Sequence, residues 1–326
     1  MSKKIRWGIL GLGKIANKFA SDLMQVEDAT LEAVGSRDIE KAIGFGKEYG
    51  ANKFYGSYEE LAKDPDVDII YIATTNNLHY ENTMMCLNNG KSVLCEKPLG
   101  LNSSEVIKMV QLAKSKNLFL MEALWTRFIP ATIKVLELVE KEVIGKIKFI
   151  RADFGFKSDS DPNLRLYNKE LGGGSLLDIG IYPIYLSLLT LGKPNSINSM
   201  ARITHTGVDS YVGMMFNYQD DKKAFMESTF ETDTGTEAFI YGEHGVIKMH
   251  RPFHHTKRLS IYSNNIPVQH IDMDYTGNGY YHEIVEVNNC ISNGQIESAL
   301  VPHSLSTDLM SIMDQVRDSW DDTMGE

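Results

Sequence analysis

Short apolar runs alternate with longer amphipathic stretches from residue 5 to about residue 122, a pattern typical of strand and helix units repeated along a parallel sheet. Each run is continuously apolar, as expected of a strand that is covered on both faces. The predicted strands are Ile5 to Leu10, Leu31 to Val34, Asp68 to Ala73, Ser92 to Cys95 and Leu118 to Met121. Because the intervening stretches repeat apolar residues at helical spacing, we expect helices between these strands.

The pattern changes after Glu122, where most segments alternate apolar and polar residues. Such alternation predicts a mostly antiparallel sheet with one face packed on helices and the other open. The predicted strands are Lys146 to Phe156, Ser196 to Thr204, Tyr211 to Tyr218, Ala224 to Glu231, Glu237 to Tyr241, Val246 to Met249 and Leu259 to Tyr262. Helices are predicted at Ile129 to Lys141, Gly279 to Ser292 and Ser304 to Trp320. We therefore predict an α/β protein with a parallel-sheet domain over residues 1–122 and an α+β domain over residues 123–326.

The net charge and the cysteine content of the chain argue against several kinds of partner and location. The 326 residues carry a formal net charge of -10, so we expect neither nucleic acid nor an acidic membrane surface as a partner. No stretch approaches the roughly 20 apolar residues of a membrane helix, and the start of the chain does not have the pattern of a signal peptide. The three cysteines are scattered and lie in apolar segments, which favours a reducing compartment and hence the cytoplasm.

The first predicted strand runs into a glycine motif, Gly11-Leu12-Gly13-Lys14-Ile15-Ala16. In a G-x-G-x-x-A sequence between a strand and a helix, the first glycine permits a tight turn and the second lets a pyrophosphate approach the helix N-terminus. The motif also fits a glycine-rich turn in some other parallel-sheet protein. Its position on the first strand favours a Rossmann domain that binds a dinucleotide.

The second strand ends in Ser36, Arg37 and Asp38, with Lys41 one helical turn later. A hydroxyl beside a guanidinium suits the 2′-phosphate of NADP, because arginine offers a charged fork of donors. The alternative is that Asp38 holds the ribose of NAD and Arg37 is solvated. Since Asp38 lies past the expected strand end, we predict NADP as the cofactor and consider NAD the weaker candidate.

Two further groups of residues follow strands or break a helical pattern. Thr74, Thr75, Asn76, His79 and the sequence Glu96-Lys97-Pro98 come at carboxyl ends of parallel strands, where ligands of open sheets bind. Spacing alone fits an ordinary surface lysine at Lys97 better than a catalytic one. Asp178 and Tyr182 lie four residues apart after a glycine run, yet Gly180 and Pro183 disfavour a regular helix there. This segment fits either a functional site or a kinked core helix with a buried tyrosine.

The histidines His250, His254 and His255 share one loop with Arg251 and Pro252. No cysteine pair or carboxylate accompanies them at the spacing of metal ligands. We therefore predict a solvated turn and no metal site.

Together these residues resemble the glucose-fructose oxidoreductase and inositol dehydrogenase family (Gfo/Idh/MocA). The glycine motif, Glu96-Lys97-Pro98 and the glycine run into Asp178 and Tyr182 occur in the family's order and spacing, over nearly the whole chain. The segments 55–61, 120–128 and 177–182 are especially similar to the dimeric trans-dihydrodiol dehydrogenases, which use NADP.

The resemblance implies roles that spacing does not give. It makes Lys97 the cation beside the reacting carbon, Tyr182 the general acid/base at a position that is often histidine in the family, and Asp178 a residue that orients the substrate. The implied cofactor contacts are Thr74, Thr75, Asn76, His79, Glu96 and Lys97, with Arg127, Arg165 and Tyr280 as weaker candidates at the cleft. For His79, capping or packing of the helix behind the strand is an equal alternative.

The expected function is that of an NADP-dependent dehydrogenase or reductase for a sugar, cyclitol or vicinal diol. The exposed sheet of the second domain is expected to form a homodimer. Two alternatives stay open. One is another sugar-modifying enzyme with tightly bound NAD(P), and the other is a nonenzymatic NADP-binding redox sensor.

Overall fold

The computed structural model describes residues 4–159 and 161–321. The chain divides into two compact units, each of them built from two segments. The first unit extends to Phe128 and includes Thr276–Thr307, and the second contains Ile129–Tyr275 and the chain from Asp308 onward. This division differs from the predicted one, because a late segment of the chain belongs to the first unit.

The sheet of the first unit has six parallel strands in the order β3-β2-β1-β4-β5-β6. The strands are β1 (Ile5–Leu10), β2 (Ala29–Gly35), β3 (Lys53–Tyr55), β4 (Ile69–Ile72), β5 (Ser92–Glu96) and β6 (Leu120–Ala123). All of the predicted strands are present, and β3 was missed because it has only three half-buried residues. The strand order reverses between β1 and β4, and such a switch point is where open sheets bind ligands at the carboxyl ends of their strands.

The helices of the first unit up to residue 128 follow these strands. They are α1 (Lys14–Leu23), α2 (Ile39–Tyr49), α3 (Tyr58–Lys63), α4 (His79–Asn88) and α5 (Ser103–Lys116). Three of them begin at side-chain caps, where Asp38, Ser57 and Asn102 accept hydrogen bonds from backbone N–H groups of the first turn. Helix α1 begins differently, at Gly13, without a side-chain cap.

The second unit contains an eight-stranded sheet in the order β14-β13-β12-β11-β7-β10-β9-β8. Its strands are β7 (Ile147–Gly155), β8 (Ser196–Ile203), β9 (Asp209–Asn217), β10 (Lys223–Thr229), β11 (Ala238–Gly242), β12 (Val246–Met249), β13 (Arg258–Ser263) and β14 (Ile266–Asp272). Only β7 and β10 pair in parallel, so the predicted α/β class with a mostly antiparallel second sheet is confirmed. Strand β14 was missed because nearly all of its residues are exposed, without the expected alternation.

Helices α6 (Pro130–Glu140) and α7 (Ile181–Leu191) also belong to the second unit. The helical stretch Lys169–Leu191 has a mean hydropathy of 1.4 and is long and apolar enough to cross a membrane. However, 78% of its most apolar window is buried inside the protein, as in the core helix of a soluble domain. The sequence analysis did not identify this stretch because glycines and polar residues interrupt its first half.

Two helices complete the chain, α8 (Tyr281–Ser292) and α9 (His303–Asp321). Helix α8 belongs to the first unit because the fully buried carboxylate of Asp22 accepts hydrogen bonds from the backbone N–H groups of Asn278, Tyr280 and Tyr281. In a second hydrogen bond, the indole Nε1 of Trp7 donates to Oδ1 of Asn288 at 3.0 Å. Both bonds are buried at least in part, so the late segment completes the core of the first unit.

Candidate active site

The glycine motif forms the turn between β1 and α1. Gly11 has φ +88, and a Cβ there would lie 2.9 Å from the side chain of Thr74 and 3.0 Å from the backbone of Ala73. Gly13 has no atom within 4 Å of the position that a Cβ would take, and it caps a helix whose first N–H groups have no side-chain acceptor. The turn therefore needs Gly11 for its own packing. The open space at Gly13 fits a phosphate at a helix N-terminus.

The three other residues of the motif differ in exposure. Leu12 is buried, whereas Lys14 and Ile15 are exposed on the first turn of α1. Backbone N–H groups of this turn are thus the donors that a pyrophosphate would meet.

Asp38 at the end of β2 acts as the N-cap of α2. Its Oδ1 accepts hydrogen bonds from the N–H groups of Glu40 (3.0 Å) and Lys41 (3.3 Å). The hydroxyl of the buried Ser36 accepts from the N–H of Asp38 at 3.2 Å, and the side chains of Arg37 and Lys41 are exposed. Helix capping accounts for Asp38 without a ribose contact. The choice between the 2′-phosphate and the ribose contact stays a prediction.

The residues after β4 form a short 3-10 helix, Asn76–Leu78, which leads into α4. Thr74 and Thr75 are half-buried, and Asn76 is buried. The hydroxyl of Thr74 accepts a hydrogen bond from the amide of Asn82, and the hydroxyl of Thr75 donates to Asn77. These polar side chains stand at the carboxyl end of β4, which neighbours β1 in the sheet.

Residues 97–99 follow β5, and we call them the Lys97 segment. The Lys97–Pro98 peptide bond is cis, and three buried side chains hold the backbone on both sides of it. Oε2 of Glu96 accepts from the N–H of Lys97 (3.3 Å), Nδ1 of His79 donates to the carbonyl of Pro98 (2.7 Å), and Oε1 of Glu122 accepts from the N–H of Leu99 (2.9 Å). The backbone that carries Lys97 is therefore fixed at three consecutive residues.

Two predicted cofactor contacts have interior roles in this arrangement. The carboxylate of Glu96 is only 7% exposed and also accepts a hydrogen bond from the hydroxyl of Tyr71. His79 is fully buried, and its second ring nitrogen lies 3.2 Å from the carbonyl of Thr74. This is the packing role that the sequence left as the alternative for His79.

Glu122 combines burial with proximity to Lys97. Burial raises the pKa of its carboxyl to about 7, while the hydroxyl of Ser306, the N–H of Leu99 and the charge of Lys97 act in the opposite direction. Glu122 is not among the site residues predicted from the sequence. An acidic residue inside an otherwise apolar strand was the available signal.

Tyr280 and Arg127 also belong to the first unit. The ring of Tyr280 is 4% exposed and stacks on Trp125, with ring centroids 5.2 Å apart. Arg127 is half-buried in the short 3-10 helix Trp125–Phe128.

In the second unit, Asp178 lies in a π-helical turn, Leu176–Gly180, and Tyr182 lies in the first turn of α7. The irregularity that Gly180 and Pro183 predicted is therefore real. Gly180 packs against β10, since a Cβ there would lie 2.9 Å from the hydroxyl of Ser228. Single π-helical turns of this kind occur frequently at functional sites.

A buried carboxyl supports this turn from β9. Oδ2 of Asp209 accepts from the hydroxyl of Ser175 (2.8 Å) and from the N–H of Leu176 (2.7 Å). Burial raises the pKa of Asp209 to about 6. Asp178 itself forms an ion pair with Arg165, with 2.9 Å between Oδ1 and Nη2. The structure thus places Arg165 beside a predicted catalytic residue in the second unit.

The ring of Tyr182 packs against two other rings. It lies 4.7 Å from His254 and 5.7 Å from Phe154, and the His254 and Phe154 rings stack at 4.5 Å. His254 is only 8% exposed, so the predicted solvated turn is wrong at this residue. The buried Phe253 anchors the turn to the core. A phenylalanine next to a histidine was the signal that the sequence interpretation overlooked.

The candidate residues are divided between the two units. Lys97 and the predicted cofactor contacts other than Arg165 belong to the first unit, and Asp178, Tyr182 and Arg165 belong to the second. The convergence of Lys97 and Tyr182 on one substrate carbon stays a prediction. No three His, Cys, Asp or Glu side chains are grouped as metal ligands in residues 4–159 and 161–321.

Comparison with known families gives matches to both parts of the chain. The model described as an oxidoreductase family with an NAD-binding Rossmann fold (GFO/IDH/MocA) matches residues 5–124. The GFO/IDH/MocA C-terminal domain matches residues 132–248. Curated relatives include trans-1,2-dihydrobenzene-1,2-diol dehydrogenase of Xenopus tropicalis, which is 37% identical over 95% of this chain and 96% of its own. The enzyme of the same name from Homo sapiens is 34% identical over 96% of each chain.

Solved structures share the fold over nearly the whole chain. An aldose-aldose oxidoreductase from Caulobacter crescentus, complexed with glycerol, superimposes with a TM-score of 0.90 at 23% identity and covers 98% of both chains. A 3-ketoreductase from Actinomadura kijaniata, in complex with NADP and TDP-benzene, gives a TM-score of 0.88 at 24% identity with the same coverage. The likeness to these structures establishes the fold.

Replacing Glu122 by glutamine should make stability less dependent on pH. A carboxyl whose pKa is about 4.5 in the unfolded chain and about 7 in the folded protein loses stabilising free energy as the pH rises from 4.5 to 7. The stability of Glu122→Gln relative to wild type should therefore increase by about 3 kcal/mol over that interval and stay level above it. Urea denaturation at several pH values measures this difference. The matched control Glu48→Gln, on the exposed face of α2, should show no such trend, and an equal trend in both variants would refute the assignment.

Proposed function

Since the chain belongs to the Gfo/Idh/MocA oxidoreductase family, we propose that it is an NADP-dependent dehydrogenase or reductase for a sugar, cyclitol or vicinal diol. The Lys97 segment is the observation that carries the proposal. Three buried side chains fix it at the carboxyl end of β5, in the same unit as the open glycine turn. A backbone fixed in this way suits a lysine whose ammonium must be held ready to stabilise charge in a transition state.

The residues of the first unit account for cofactor binding. Backbone N–H groups of Leu12, Gly13, Lys14 and Ile15 would hold the pyrophosphate beside Gly11, whose own N–H donates to the carbonyl of Gly35. Ser36, Arg37 and Lys41 would hold the 2′-phosphate. Thr74, Thr75 and Asn76 are proposed to contact the ribose and nicotinamide side. The complex of the related ketoreductase fold with NADP supports this choice of cofactor. When bound, the nicotinamide supplies or accepts the hydride.

Side chains of the protein would stabilise the developing charge and transfer the proton. The Lys97 ammonium stabilises the negative charge that develops on the substrate oxygen as its proton leaves. The phenolic oxygen of Tyr182 takes that proton during oxidation and returns it during reduction. Because an ordinary tyrosine has a pKa near 10, this role requires a cation near the phenol, for which Lys97 and the charged nicotinamide ring are the two candidates. The Asp178 carboxylate, oriented by Arg165, would position a second hydroxyl of the substrate.

Replacement of Lys97 by methionine should lower kcat at least about a thousandfold, because the stem remains and the charge is lost. Tyr182→Phe should lower kcat about a hundredfold or more through loss of the proton donor and acceptor. Both variants should retain affinity for NADP. Nicotinamide absorbance with a panel of polyols, sugars and diols measures turnover, and fluorescence titration measures cofactor binding.

The control for these variants is Lys108→Met, which makes the same change on the exposed face of α5 and should leave kcat unchanged. A Lys97→Met variant that turns over substrate at the rate of the wild type would refute the assigned mechanism. Binding of NADP without turnover of any substrate would instead support the redox sensor.

Cofactor preference is tested at Arg37. Arg37→Ala should raise the KM for NADP about tenfold to a hundredfold and leave the KM for NAD nearly unchanged, because only NADP carries the phosphate that the guanidinium would bind. Steady-state kinetics with both cofactors measure the change. The control Lys47→Ala, at an exposed residue of α2, should alter neither KM. Better turnover of the wild type with NAD than with NADP would overturn the proposal.

We also propose a homodimer formed through the outer face of the second sheet. Phe149 stacks on Tyr241 with ring centroids 4.2 Å apart and meets Phe225 edge-on. Phe225 is 41% exposed and Met200 62% exposed, beside a groove of about 450 Å³. An exposed aromatic and methionine surface on an open sheet is suited to burial against a second copy.

Phe225→Glu should convert this dimer to a monomer, because it places a charge within the aromatic surface. Light scattering coupled to size-exclusion chromatography measures the mass. Ile107→Glu makes a comparable change at an exposed residue of α5 in the first unit and should leave the mass unchanged. A wild type that is monomeric at micromolar concentration would contradict the proposal.

A cytoplasmic location is also proposed. Cys86, Cys95 and Cys290 are buried free thiols in the structure. Buried thiols without disulfides are compatible with a reducing compartment.

A further inference from the structure

Glu283 is a fully buried carboxyl that has no assigned role. It lies in the first turn of α8 with 0% exposure, and neither of its oxygens has a hydrogen-bond partner among the described residues. Burial raises its pKa well above the usual value near 4.5, and the nearby negative charges of Glu96 and Asp22 raise it further. A carboxylate with no donor would be costly at such a position, so the structure requires a neutral group there.

The titratable groups around Glu283 come from four elements of the first unit. Glu96 lies on β5, Tyr71 on β4, Asp22 on α1 and Tyr280 immediately before α8. Burial raises the pKa of the Tyr71 hydroxyl, and the carboxylate of Glu96, which accepts a hydrogen bond from that hydroxyl, raises it further. Two other acidic groups, Glu96 and Asp22, are thus near enough to Glu283 to influence its charge.

The neighbouring acids differ from Glu283 in having donors. Asp22 accepts hydrogen bonds from backbone N–H groups before α8, and Glu96 accepts from the hydroxyl of Tyr71 and from the N–H of Lys97. These donors stabilise negative charge on Asp22 and Glu96, whereas Glu283 lacks that support. The proton is therefore best placed on Glu283.

We propose that Glu283 is held as a neutral carboxylic acid, so that Glu96 alone carries the negative charge that fixes the backbone of Lys97. This inference rests on the proposed function and makes Glu283 a positioning residue for the reaction. Ionisation of Glu283 would put a second negative charge near Glu96. The repulsion would disturb the bond from Glu96 to the N–H of Lys97 and with it the placement of the ammonium.

The first experiment measures protonation without cofactor or substrate. The Tm of wild type and of Glu283→Gln, whose amide is neutral at every pH, is followed from pH 5 to pH 8. A group that is protonated only in the folded state loses stabilisation as the pH rises above its unfolded value near 4.5. The Tm of Glu283→Gln should therefore rise relative to that of wild type by about 5 °C or more over this range.

Two further variants serve as controls for the Tm measurement. Glu27→Gln changes an exposed glutamate and should follow wild type at every pH. Glu283→Met removes the polar atoms as well as the charge, so its Tm should show the same pH trend as Glu283→Gln even where its absolute Tm differs. Parallel Tm curves for wild type and both Glu283 variants would show an ordinary ionised glutamate and overturn the proposal.

The second experiment measures the effect on catalysis. At pH 7, Glu283→Gln should retain kcat within twofold and an unchanged KM for NADP. At alkaline pH, kcat of the wild type should fall more steeply than that of the variant, because only the wild type can ionise at this position. Identical profiles would refute the effect of Glu283 ionisation on Lys97, and a tenfold loss of kcat in Glu283→Gln at pH 7 would refute the neutral form of Glu283.

Failure of the two proposals can be told apart. If wild type turns over no substrate, the proposed function fails, while the Tm series still decides whether Glu283 is neutral. If turnover depends on Lys97 but the Tm curves are parallel, the inference about Glu283 fails alone.

Discussion

A buried carboxylate is tolerated only where backbone or side-chain donors surround it, and this constraint organises the protein. Asp22 accepts hydrogen bonds from N–H groups at the start of α8, and Asp209 accepts one from the N–H of Leu176 in the turn before α7. Glu122 accepts one from the N–H of Leu99. In each case the acid joins segments that are distant in sequence. The chain carries a net charge of -10, and part of its acidic content is used inside as hydrogen-bond acceptors for loops that carry candidate functional residues.

Much of the fold follows from local pattern. Strands that are buried on both faces, such as β1 and β4, are unmistakable as continuous apolar runs, and the alternating strands of the second sheet are equally visible. The pattern fails where its physical cause is absent. Strand β14 is exposed on both faces, and β3 is too short to show a period. The membership of α8 in the first unit depends on Asp22 and on the Trp7 to Asn288 bond, which join residues far apart in sequence.

The residues of the candidate site also differ in how far the sequence alone identifies them. Gly11, Gly13 and Ser36 are identifiable because backbone geometry and phosphate chemistry demand particular residues at particular places. Lys97 and Tyr182 needed the family resemblance, since neither spacing nor propensity distinguishes a catalytic lysine from a solvated one. Glu122 was not predicted as a site residue, and His254 was predicted to lie in a solvated turn. The buried backbone around Glu122 and the stacked rings around His254 exist only in the folded chain.

Because the first unit is built from two segments of the chain, its core cannot be completed until both segments have been synthesised. A ribosome delivers all six strands of the parallel sheet by residue 123, yet the segment from Thr276 to Thr307 emerges much later. Until then the indole of Trp7 and the carboxylate of Asp22 lack their buried partners. The core of the first unit therefore stays incomplete while the intervening sheet is synthesised, and the order of synthesis differs from the order in which this unit can be completed.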